Sequence, residues 1–475
     1  MIGLMEALTP LLADAGSNLL AARYQMAFTL GFHIILACFG VAFPAIMLIA
    51  EYRGRKHGDA EALLLARRWS KVVAVLFAVG AVSGTVLSFE LGLLWPEMMG
   101  RFGDAFGIGF AIEGIFFFLE AIFIAVYIYG WNRLPGWAHF WSGVPIVIAG
   151  VGGAAAVVSA NSWMNTPQGF ELGPDGNVTD IDVSQVLLNP AFGHEFPHMW
   201  LAAYMVTGFL VASVYAVGML RGRRDRYHRL GFVIPFTVAA IATPIQIFVG
   251  DIAAREVFDD QPAKFAAFEC VYETGDDQPE HLGGICTDDE VKYGISIPGL
   301  NSLLAGFSTG TVVTGLEDIP DDEQPPALTL LHLSFDAMVG IGFALLALSA
   351  WFAVVWYRKR GLPRTPWFLR AASGAGVAAV VAMECGWIVT EVGRQPWIVR
   401  GYQRTEEAVT EAQGLWWVFG LTMAVYVGLA VAAAFVLRAF ARRWRQEEEP
   451  AVPYGPRDGG PSGETTGQAP GGESS

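Results

Sequence analysis

Nine runs of about 20 apolar residues recur along this chain, and they constrain its fold more than any other feature. They lie near residues 24–50, 70–95, 105–130, 138–162, 197–220, 230–250, 328–357, 367–391 and 414–440. Each run can cross about 30 Å of hydrocarbon as a helix that rises about 1.5 Å per residue. The sequence therefore predicts an all-α polytopic membrane protein with nine transmembrane helices.

The composition agrees with a membrane protein and argues against a nucleic-acid partner. Of the 475 residues, 53% are hydrophobic, which is too apolar for an ordinary soluble globular protein. The net charge is -15, with the acids gathered in loops and the bases clustered in short segments beside the apolar runs. This distribution lacks the basic surface that nucleic-acid binding requires, so we expect no such partner.

The basic residues also predict how the chain is oriented. Of the 30 Lys and Arg residues, 22 lie in 51–71, 131–137, 221–229, 358–370 and the stretch after 438. These segments alternate with segments that hold few bases, and basic loops stay in the cytoplasm. We therefore expect the N-terminus outside and the C-terminus in the cytoplasm.

Two long polar segments interrupt the pattern within a membrane domain that spans residues 1–445. Residues 251–327 form a long acidic external loop between helices 6 and 7. Cys270 and Cys286 share this loop and could form a disulfide in an oxidising compartment, although the sequence leaves that pairing open. Residues 446–475 are rich in Gly, Pro, Glu and Ser, and we interpret them as a disordered cytoplasmic tail.

Glu391 lies in the last turn of the eighth apolar run. An ionisable group at membrane depth costs roughly 2.5 to 3.5 kcal/mol on insertion scales, so such a residue is by default a functional candidate with a partner. The alternative is a snorkelling carboxylate paired with Arg394, which stands just beyond the run. The stretch by itself favours neither interpretation.

Three other residues that can coordinate a metal share the depth of Glu391. With the predicted orientation, His33, His198 and Met338 lie in the outer halves of the first, fifth and seventh helices. Singly, a membrane His usually hydrogen-bonds another helix and a membrane Met usually packs. Because a haem between helices takes axial ligands from facing helices, four such groups at one depth favour a metal or haem site.

The third helix contains a pair of acids, Glu113 and Glu120. Seven residues apart, they share one helical face and lie about 10 Å apart along the axis. This spacing suits a water-assisted proton relay, and the alternative is that each acid bonds a neighbouring hydroxyl. Glu90 and Asp336 are further acids at membrane depth to which the sequence assigns no role.

Residues 194–198 read HEFPH and match the H-E-x-x-H pattern of zinc peptidases. That chemistry needs both histidines on one uninterrupted helical face. Proline is tolerated in the first turn of a helix, so Pro197 predicts that His194 lies in the loop before the helix. We therefore reject the peptidase interpretation.

Several motifs together resemble subunit I of cytochrome bd quinol oxidase along about residues 20–440. They are GRQPW at 393–397, ECGW at 384–387, RxQxxxTxxxH at 23–33, AIEG at 111–114, FLE ending at 120, and QPAKFAAFE at 261–269. The combination is highly specific, although no single motif would suffice. The external loop lacks a long insertion found in some relatives, which indicates the short quinol-loop type.

The resemblance implies a set of cofactor ligands. His198 and Met338 match the ligands of a low-spin haem b. His33 and Glu391 match the single ligands of a high-spin haem b and a haem d, one each, which would leave iron open to oxygen. Trp387 matches a residue beside the cofactors. Arg394 matches a residue near the haem carboxylates and is expected to be a clamp on the cofactor more than an ion-pair partner of Glu391.

The resemblance also implies the reaction. Lys264 and Glu269 match the quinol-binding positions of the loop, while Glu113 and Glu120 match proton-path acids. The expected activity is quinol:oxygen oxidoreduction, with quinol oxidised at the external face and O2 reduced to water by cytoplasmic protons, electrogenic without pumping. The expected setting is a bacterial cytoplasmic membrane, with subunit II and small single-helix subunits as partners. The main alternative is an ion or solute transporter with a carboxylate and histidine site.

One position departs from the family pattern. Many relatives have an arginine where this chain has Asp336, two residues before Met338. The substitution reverses a charge beside the expected haem. Whatever that arginine does must be done differently here.

Overall fold

The computed structural model describes residues 15–363 and 365–446, and in them nine helices are long and apolar enough to cross a membrane. These are α1 (Ala15–His57), α2 (Ala60–Leu94), α3 (Pro96–Gly130), α4 (Gly136–Asn165), α6 (Phe192–Leu220), α7 (Arg226–Asp260), α10 (Leu328–Lys359), α11 (Pro366–Gly393) and α13 (Leu415–Arg445). The predicted all-α fold with nine spans is confirmed. The predicted disordered tail lies outside the described residues from position 447 onward.

The shorter elements connect the spans. They are β1 (Glu171–Leu172), β2 (Val178–Thr179), α5 (Val183–Leu187), α8 (Pro262–Glu269), β3 (Glu280–Leu282), β4 (Ile285–Cys286), β5 (Val291–Lys292), β6 (Ile295–Ile297), α9 (Leu300–Gly306), a 3-10 turn (Leu316–Asp318), β7 (Trp397–Val399), β8 (Gln403–Arg404) and α12 (Thr405–Ala408). The strands form four antiparallel pairs, β1–β2, β3–β6, β4–β5 and β7–β8. None of these short elements could span a membrane.

The first part of the expected external loop is helical. Residues 251–260 continue α7, so the segment predicted as an external loop is helical over its first part. The stretch contains neither glycine nor proline. Asp251 and Arg255, which lie one helical turn apart, form an ion pair at 2.9 Å that stabilises the helix. The helix ends where Gln261 caps it and Pro262 begins α8.

His194 also lies in a helix, contrary to our expectation. Helix α6 begins at Phe192, whose backbone N–H donates to Asn189 Oδ1 at 3.2 Å. Pro197 is therefore the sixth helical residue, where it removes a single intrahelical donor and the helix continues. Helix α6 therefore begins at Phe192, with Ala191 at its N-cap position, and not at the proline.

Small residues bring the spans close together. A Cβ at Gly150 of α4 would lie 3.0 Å from the carbonyl oxygen of Gly40 in α1. At Gly208 of α6 it would lie 2.7 Å from the carbonyl oxygen of Pro235 in α7. Such contacts allow backbones to approach as small residues do between membrane helices. The glycine-rich patch near Gly150 therefore marks close packing of α4 against α1.

The external loop is folded rather than extended. Cys270 and Cys286 form a disulfide that joins the residue after α8 to strand β4. Residues 264–269 of α8 are buried, with Phe265 and Phe268 packed among apolar residues of α10 and α11. This loop therefore holds α8 against the ends of two spans that contain predicted site residues.

Candidate functional site

Lys264 of α8 is a buried lysine with an indirect carboxylate partner. Its Nζ donates to Asn165 Oδ1 at 3.2 Å, and Asn165 Nδ2 donates to Glu195 Oε1 at 2.9 Å. Asn165 is the last residue of α4, and Glu195 lies in the first turn of α6. The exposed fraction of Lys264 is 5%, so these polar groups supply the hydrogen bonds that water cannot.

Glu391 is held from two sides. Asn161 Nδ2 donates to its Oε1 at 2.7 Å, and Arg394 Nη2 donates to its Oε2 at 2.7 Å. Asn161 and Asn165 are four residues apart in α4, so they share one helical face. We use the term outer polar cluster for Asn161, Asn165, Glu195, Lys264, Glu391 and Arg394. The cluster brings Lys264 and Glu391, which are far apart in sequence, to one buried site.

Arg394 is an ion-pair partner of Glu391 in this structure, which differs from the expectation that it is chiefly a clamp. Helix α11 ends at Gly393, and Arg394 keeps helical torsion angles that bring its side chain back one turn. The other two side-chain nitrogens of Arg394 differ from Nη2 in their hydrogen bonding. Among the described residues, Nε and Nη1 of Arg394 are buried without a hydrogen-bond partner. A buried guanidinium needs acceptors for its free N–H groups, and haem carboxylates have the matching geometry.

Each of three predicted ligands lies against a glycine on a neighbouring helix. The hypothetical Cβ would lie 2.9 Å from His33 Cε1 for Gly84, 3.2 Å from His198 Cε1 for Gly250, and 3.0 Å from Met338 Sδ for Gly386. Any larger residue at these positions would press on the ligand side chain. Glycines beside ligand atoms, together with the free N–H groups of Arg394, show that the residues present fit a bulky cofactor with carboxylates.

Hydrogen bonds orient the two histidines. His33 Nδ1 lies 2.9 Å from Ser83 Oγ of α2. A bond through Nδ1 fixes the ring and aims Nε2 away from it, as in histidines that bind metals. Gln246 Nε2 of α7 lies 3.2 Å from each ring nitrogen of His198. Trp387 packs against the large apolar core beside these helices.

The membrane acids line α1. The carboxylate of Glu120 in α3 faces Gly40, and that of Glu384 in α11 faces Gly31. In both acids Oε1 is buried without a hydrogen-bond partner among the described residues. Glu113 lies two turns from Glu120 on α3 and packs near Gly153. The acids therefore approach one helix from both sides at different depths.

Glu90 has a defined environment that the sequence did not reveal. Gln25 Nε2 and Thr29 Oγ1 donate to its Oε1 at 2.8 and 3.1 Å. These donors belong to the RxQxxxTxxxH motif in α1, so part of that motif holds a buried acid of α2. Arg23 of the same motif donates through Nη2 to Gln395 Oε1 at 2.7 Å. The motif at residue 23 and the motif at residue 393 thus meet.

Glu269 does not converge with Lys264. The two residues are five apart on α8 and face different neighbours, because five residues turn a helix well past one full turn. Glu269 faces Glu280 of β3 and Asp336 of α10. We use the term carboxyl cluster for Glu269, Glu280, Asp336, Asn301 and His332. The structure therefore divides the predicted quinol residues between two polar sites.

Asp336 points into the loop. Its Oδ2 accepts a hydrogen bond from the backbone N–H of Gly283 and lies 3.5 Å from His332 Nε2. His332 Nδ1 in turn lies 2.9 Å from the carbonyl oxygen of Phe268. The Asp336 carboxylate therefore anchors the external loop to α10.

Burial shifts the pKa values of the titratable groups on this loop. It raises the pKa of Glu269 well above the ordinary value, and the nearby Glu280 and Asp336 raise it further. Burial also raises the pKa of Glu280. Burial lowers the pKa of Lys264 to about 8, against a smaller opposing effect of Glu195. Burial and like charge thus favour the protonated forms of Glu269 and Glu280.

Six residues of these clusters were not predicted as site residues from the sequence. They are Asn161, Asn165, Glu195, Glu280, Asn301 and His332. Asn161 and Asn165 end an apolar run four residues apart, which is a usable but weak signal. Glu195 was considered only within the HEFPH pattern. Glu280 is one of many acids in the loop, and nothing in the sequence distinguishes it.

Comparisons with known proteins indicate the same family along most of the chain. Residues 21–444 match the family described as cytochrome bd terminal oxidase subunit I. A Bacillus subtilis (strain 168) protein named as a cytochrome bd menaquinol oxidase subunit I is 34% identical over 91% of this chain and 98% of its own length. The cytochrome bd ubiquinol oxidase subunit 1 of the same strain is 29% identical over 83% of this chain and 86% of its own length.

A solved structure has the same fold. A chain of the bd oxidase from Geobacillus thermodenitrificans is 37% identical and superposes with a TM-score of 0.83. The match covers 90% of this chain and 98% of the other. The likeness therefore extends through the spans that contain both polar clusters.

Proposed function

The chain belongs to the cytochrome bd terminal oxidase subunit I family, and on that premise we propose which residues perform its quinol:oxygen oxidoreductase activity. Membership favours this activity over the transporter alternative, because the match covers residues 21–444 and hence all nine spans. The proposal concerns the cofactors, the side on which quinol is oxidised, and the origin of the protons.

Four side chains would hold the cofactors. His198 and Met338 would ligate a low-spin haem b, and His33 and Glu391 would each ligate one of a high-spin haem b and a haem d. When bound, these groups supply one-electron carriers and an iron site open to O2. Supporting this assignment, glycines stand beside three of the ligands.

The main support for the proposal is the outer polar cluster. Lys264 comes from the quinol-type loop, and Glu391 is a ligand candidate, yet both bond asparagines on one face of α4. Quinol oxidised near Lys264 and Glu269 would therefore lose its electrons close to the groups that accept them. Arg394 and Trp387 would position the cofactors, with the free N–H groups of Arg394 held by haem carboxylates.

Protons for water would come from the cytoplasm. Glu113 and Glu120 of α3 would pass them toward the outer half of the bundle, with water between the two acids. Quinol protons released outside and chemical protons taken from inside make the turnover electrogenic without pumping. The basic loops support an external N-terminus and a cytoplasmic C-terminus in a bacterial cytoplasmic membrane.

The oxidase would also need partner chains. We expect subunit II and small single-helix subunits to cover apolar faces of the bundle. Helix α13 offers such a face, since Trp417, Leu421 and Phe435 are 86%, 67% and 62% exposed. Lipid covers the rest of the membrane surface.

Reduced-minus-oxidised spectra of the purified protein test this function. We expect haem b bands and a chlorin band, and a protein with neither would overturn the proposal. Met338→Leu should remove the low-spin haem b signal, because leucine keeps the volume but cannot ligate iron. Met219→Leu, at the buried far end of α6, is the matched control and should keep every band. An intact low-spin signal in Met338→Leu would refute the ligand assignment.

A further inference from the structure

Two buried carboxyl groups of the carboxyl cluster face each other. Glu269 ends α8 and Glu280 begins β3, and their exposed fractions are 5% and 6%. They lie close enough for the charge of Glu280 to raise the pKa of Glu269. Because two neighbouring buried carboxylates cannot both ionise readily, one of them favours its protonated form. The pair can therefore hold an exchangeable proton out of contact with bulk water.

Unsatisfied acceptors surround this pair. Asn301 Nδ2 of α9 donates to Glu280 Oε2 at 3.2 Å. Glu269 Oε2 and Asn301 Oδ1 are buried and have no partner among the described residues. A buried acceptor without a donor is unfavourable, and a hydroxyl donor bound there would satisfy it. The site thus suits a ligand that presents an O–H group, as quinol does.

The titratable neighbours of the pair include an acid and two histidines. Asp336 and His332 face it from α10, and His281 lies beside Glu280 on β3. Lys264, the lysine of α8, turns away and bonds Asn165. Two carboxylates that face each other with an acidic neighbour cannot both ionise readily, so the pair keeps one proton and can accept another.

Glu280 also lies beside an exposed strand of the loop. It pairs with Ile297 of β6, and all three residues of β6 are exposed. Glu269, in contrast, lies at the end of the buried helix α8. Within the pair, Glu269 is the inner group and Glu280 is the group nearer the external surface.

Resting on the proposed function, we propose that Glu280 is a second proton-accepting residue of the quinol site and relays protons from Glu269 to the outside. A quinol O–H bond breaks, the proton goes to Glu269, and one electron leaves to the oxidase's electron acceptors. The pair then holds two protons, and Glu280 releases one outward. Repeating the step converts quinol to quinone, with two protons released and two electrons delivered toward O2.

Glu280→Gln in the complete oxidase tests the relay. Glutamine keeps the volume and can still accept the Asn301 hydrogen bond, but it cannot release a proton. The kcat of quinol oxidation should fall about 10²-fold, the low end for a lost acid–base group, with KM within about twofold. The acid limb of the pH profile should move to lower pH, because Glu269 no longer faces a second carboxyl group. Oxidation of an artificial donor that bypasses quinol should stay unchanged.

Two further variants complete the test. Glu273→Gln alters an exposed acid of the same loop and should match the native enzyme. Glu280→Asp retains a carboxyl group and should recover part of kcat, which also decides the case if Glu280→Gln assembles without its haem bands. Native kcat and pH profile in Glu280→Gln, with quinol oxidation lost in Glu269→Gln, would overturn the relay and leave the function standing. A native protein with haem bands but no quinol oxidation would overturn both.

Discussion

At the scale of single residues, Arg394 shows how one side chain serves two partners. One nitrogen bonds Glu391, and two more are buried and free among the described residues. Arg394→Lys should keep the ion pair but lose the paired N–H groups of the planar guanidinium. We therefore expect the purified protein to retain less than half of its haem. Haem content per protein measures this. Arg404→Lys, in an ion pair with Asp322 beyond the site, is the control, and equal losses in both would contradict the role.

Lys264 is the next residue whose loss has a specific consequence. Lys264→Ala leaves the buried Asn165 Oδ1 without its donor, a cost of about 1–3 kcal/mol. We expect kcat/KM for quinol to fall roughly 10- to 100-fold, while oxidation of an artificial donor stays near native. Lys292→Ala removes a half-exposed lysine of the same loop and should change neither rate. Equal loss with both donors would show that the defect is not at the quinol site.

Lys264 also predicts a pH dependence. A free lysine keeps its proton to about pH 10.4, but burial lowers the pKa of Lys264 to about 8. As pH rises through about 8, Lys264 loses its charge, so quinol oxidation that needs this charge should fall there. Lys264→Arg keeps the charge and should move the falling limb above about pH 9. The measurement is kcat/KM against pH, and an unmoved limb would contradict the role.

The residues found from sequence were those whose burial is expensive. His33, Glu391 and Glu120 stand out in apolar runs because nothing nearby explains them. Asn161 and Asn165 did not stand out, since an amide at a helix end is common and carries no charge. Glu280 is hidden for the opposite reason, because it is one acid among many in a polar loop. Only the folded loop distinguishes it.

At the scale of elements, glycines determine where ligand side chains fit. A Cβ at Gly386 of α11 would lie 3.0 Å from Met338 Sδ, so the sulfur would have to move by a few tenths of an ångström. Gly386→Ala should therefore remove most of the low-spin haem b signal. Gly374→Ala on the same helix meets nothing within 4 Å and should leave the spectrum intact. Identical spectra for the two variants would exclude a steric role for Gly386.

Sequence patterns located the helices better than their ends. Every apolar run became a span, because the cost of unpaired backbone groups in lipid leaves helices as the available structure. The ends differ because polar residues continue a helix as well as apolar ones do, as 251–260 shows in α7. Helix α6 begins at Phe192, whose backbone N–H bonds Asn189 Oδ1, rather than at Pro197. Hydropathy predicts which segments cross the membrane, whereas hydrogen bonding at the helix ends determines where each helix begins and ends.

At the scale of the whole molecule, orientation is the prediction that supports the electrogenic scheme. Tyr293 is 92% exposed in the loop expected outside, and Lys359 is exposed in the loop expected inside. In intact cells, Tyr293→Cys should react with a membrane-impermeant thiol reagent, and Lys359→Cys should react after the cells are opened. The reverse pattern would place quinol oxidation on the cytoplasmic side. The folding of residues 270–327 into a disulfide-linked cap could not be predicted, because its strands are too short to show alternation.

The outer polar cluster has a consequence for how the protein is made. The partners of buried Lys264 come from α4 and α6, and its stem packs against Gly393 at the end of α11. A lysine cannot stay buried before its counter-charges arrive, so α8 docks only after spans from both halves of the chain are inserted. We therefore expect the external loop to close only after α4, α6 and α11 have been inserted.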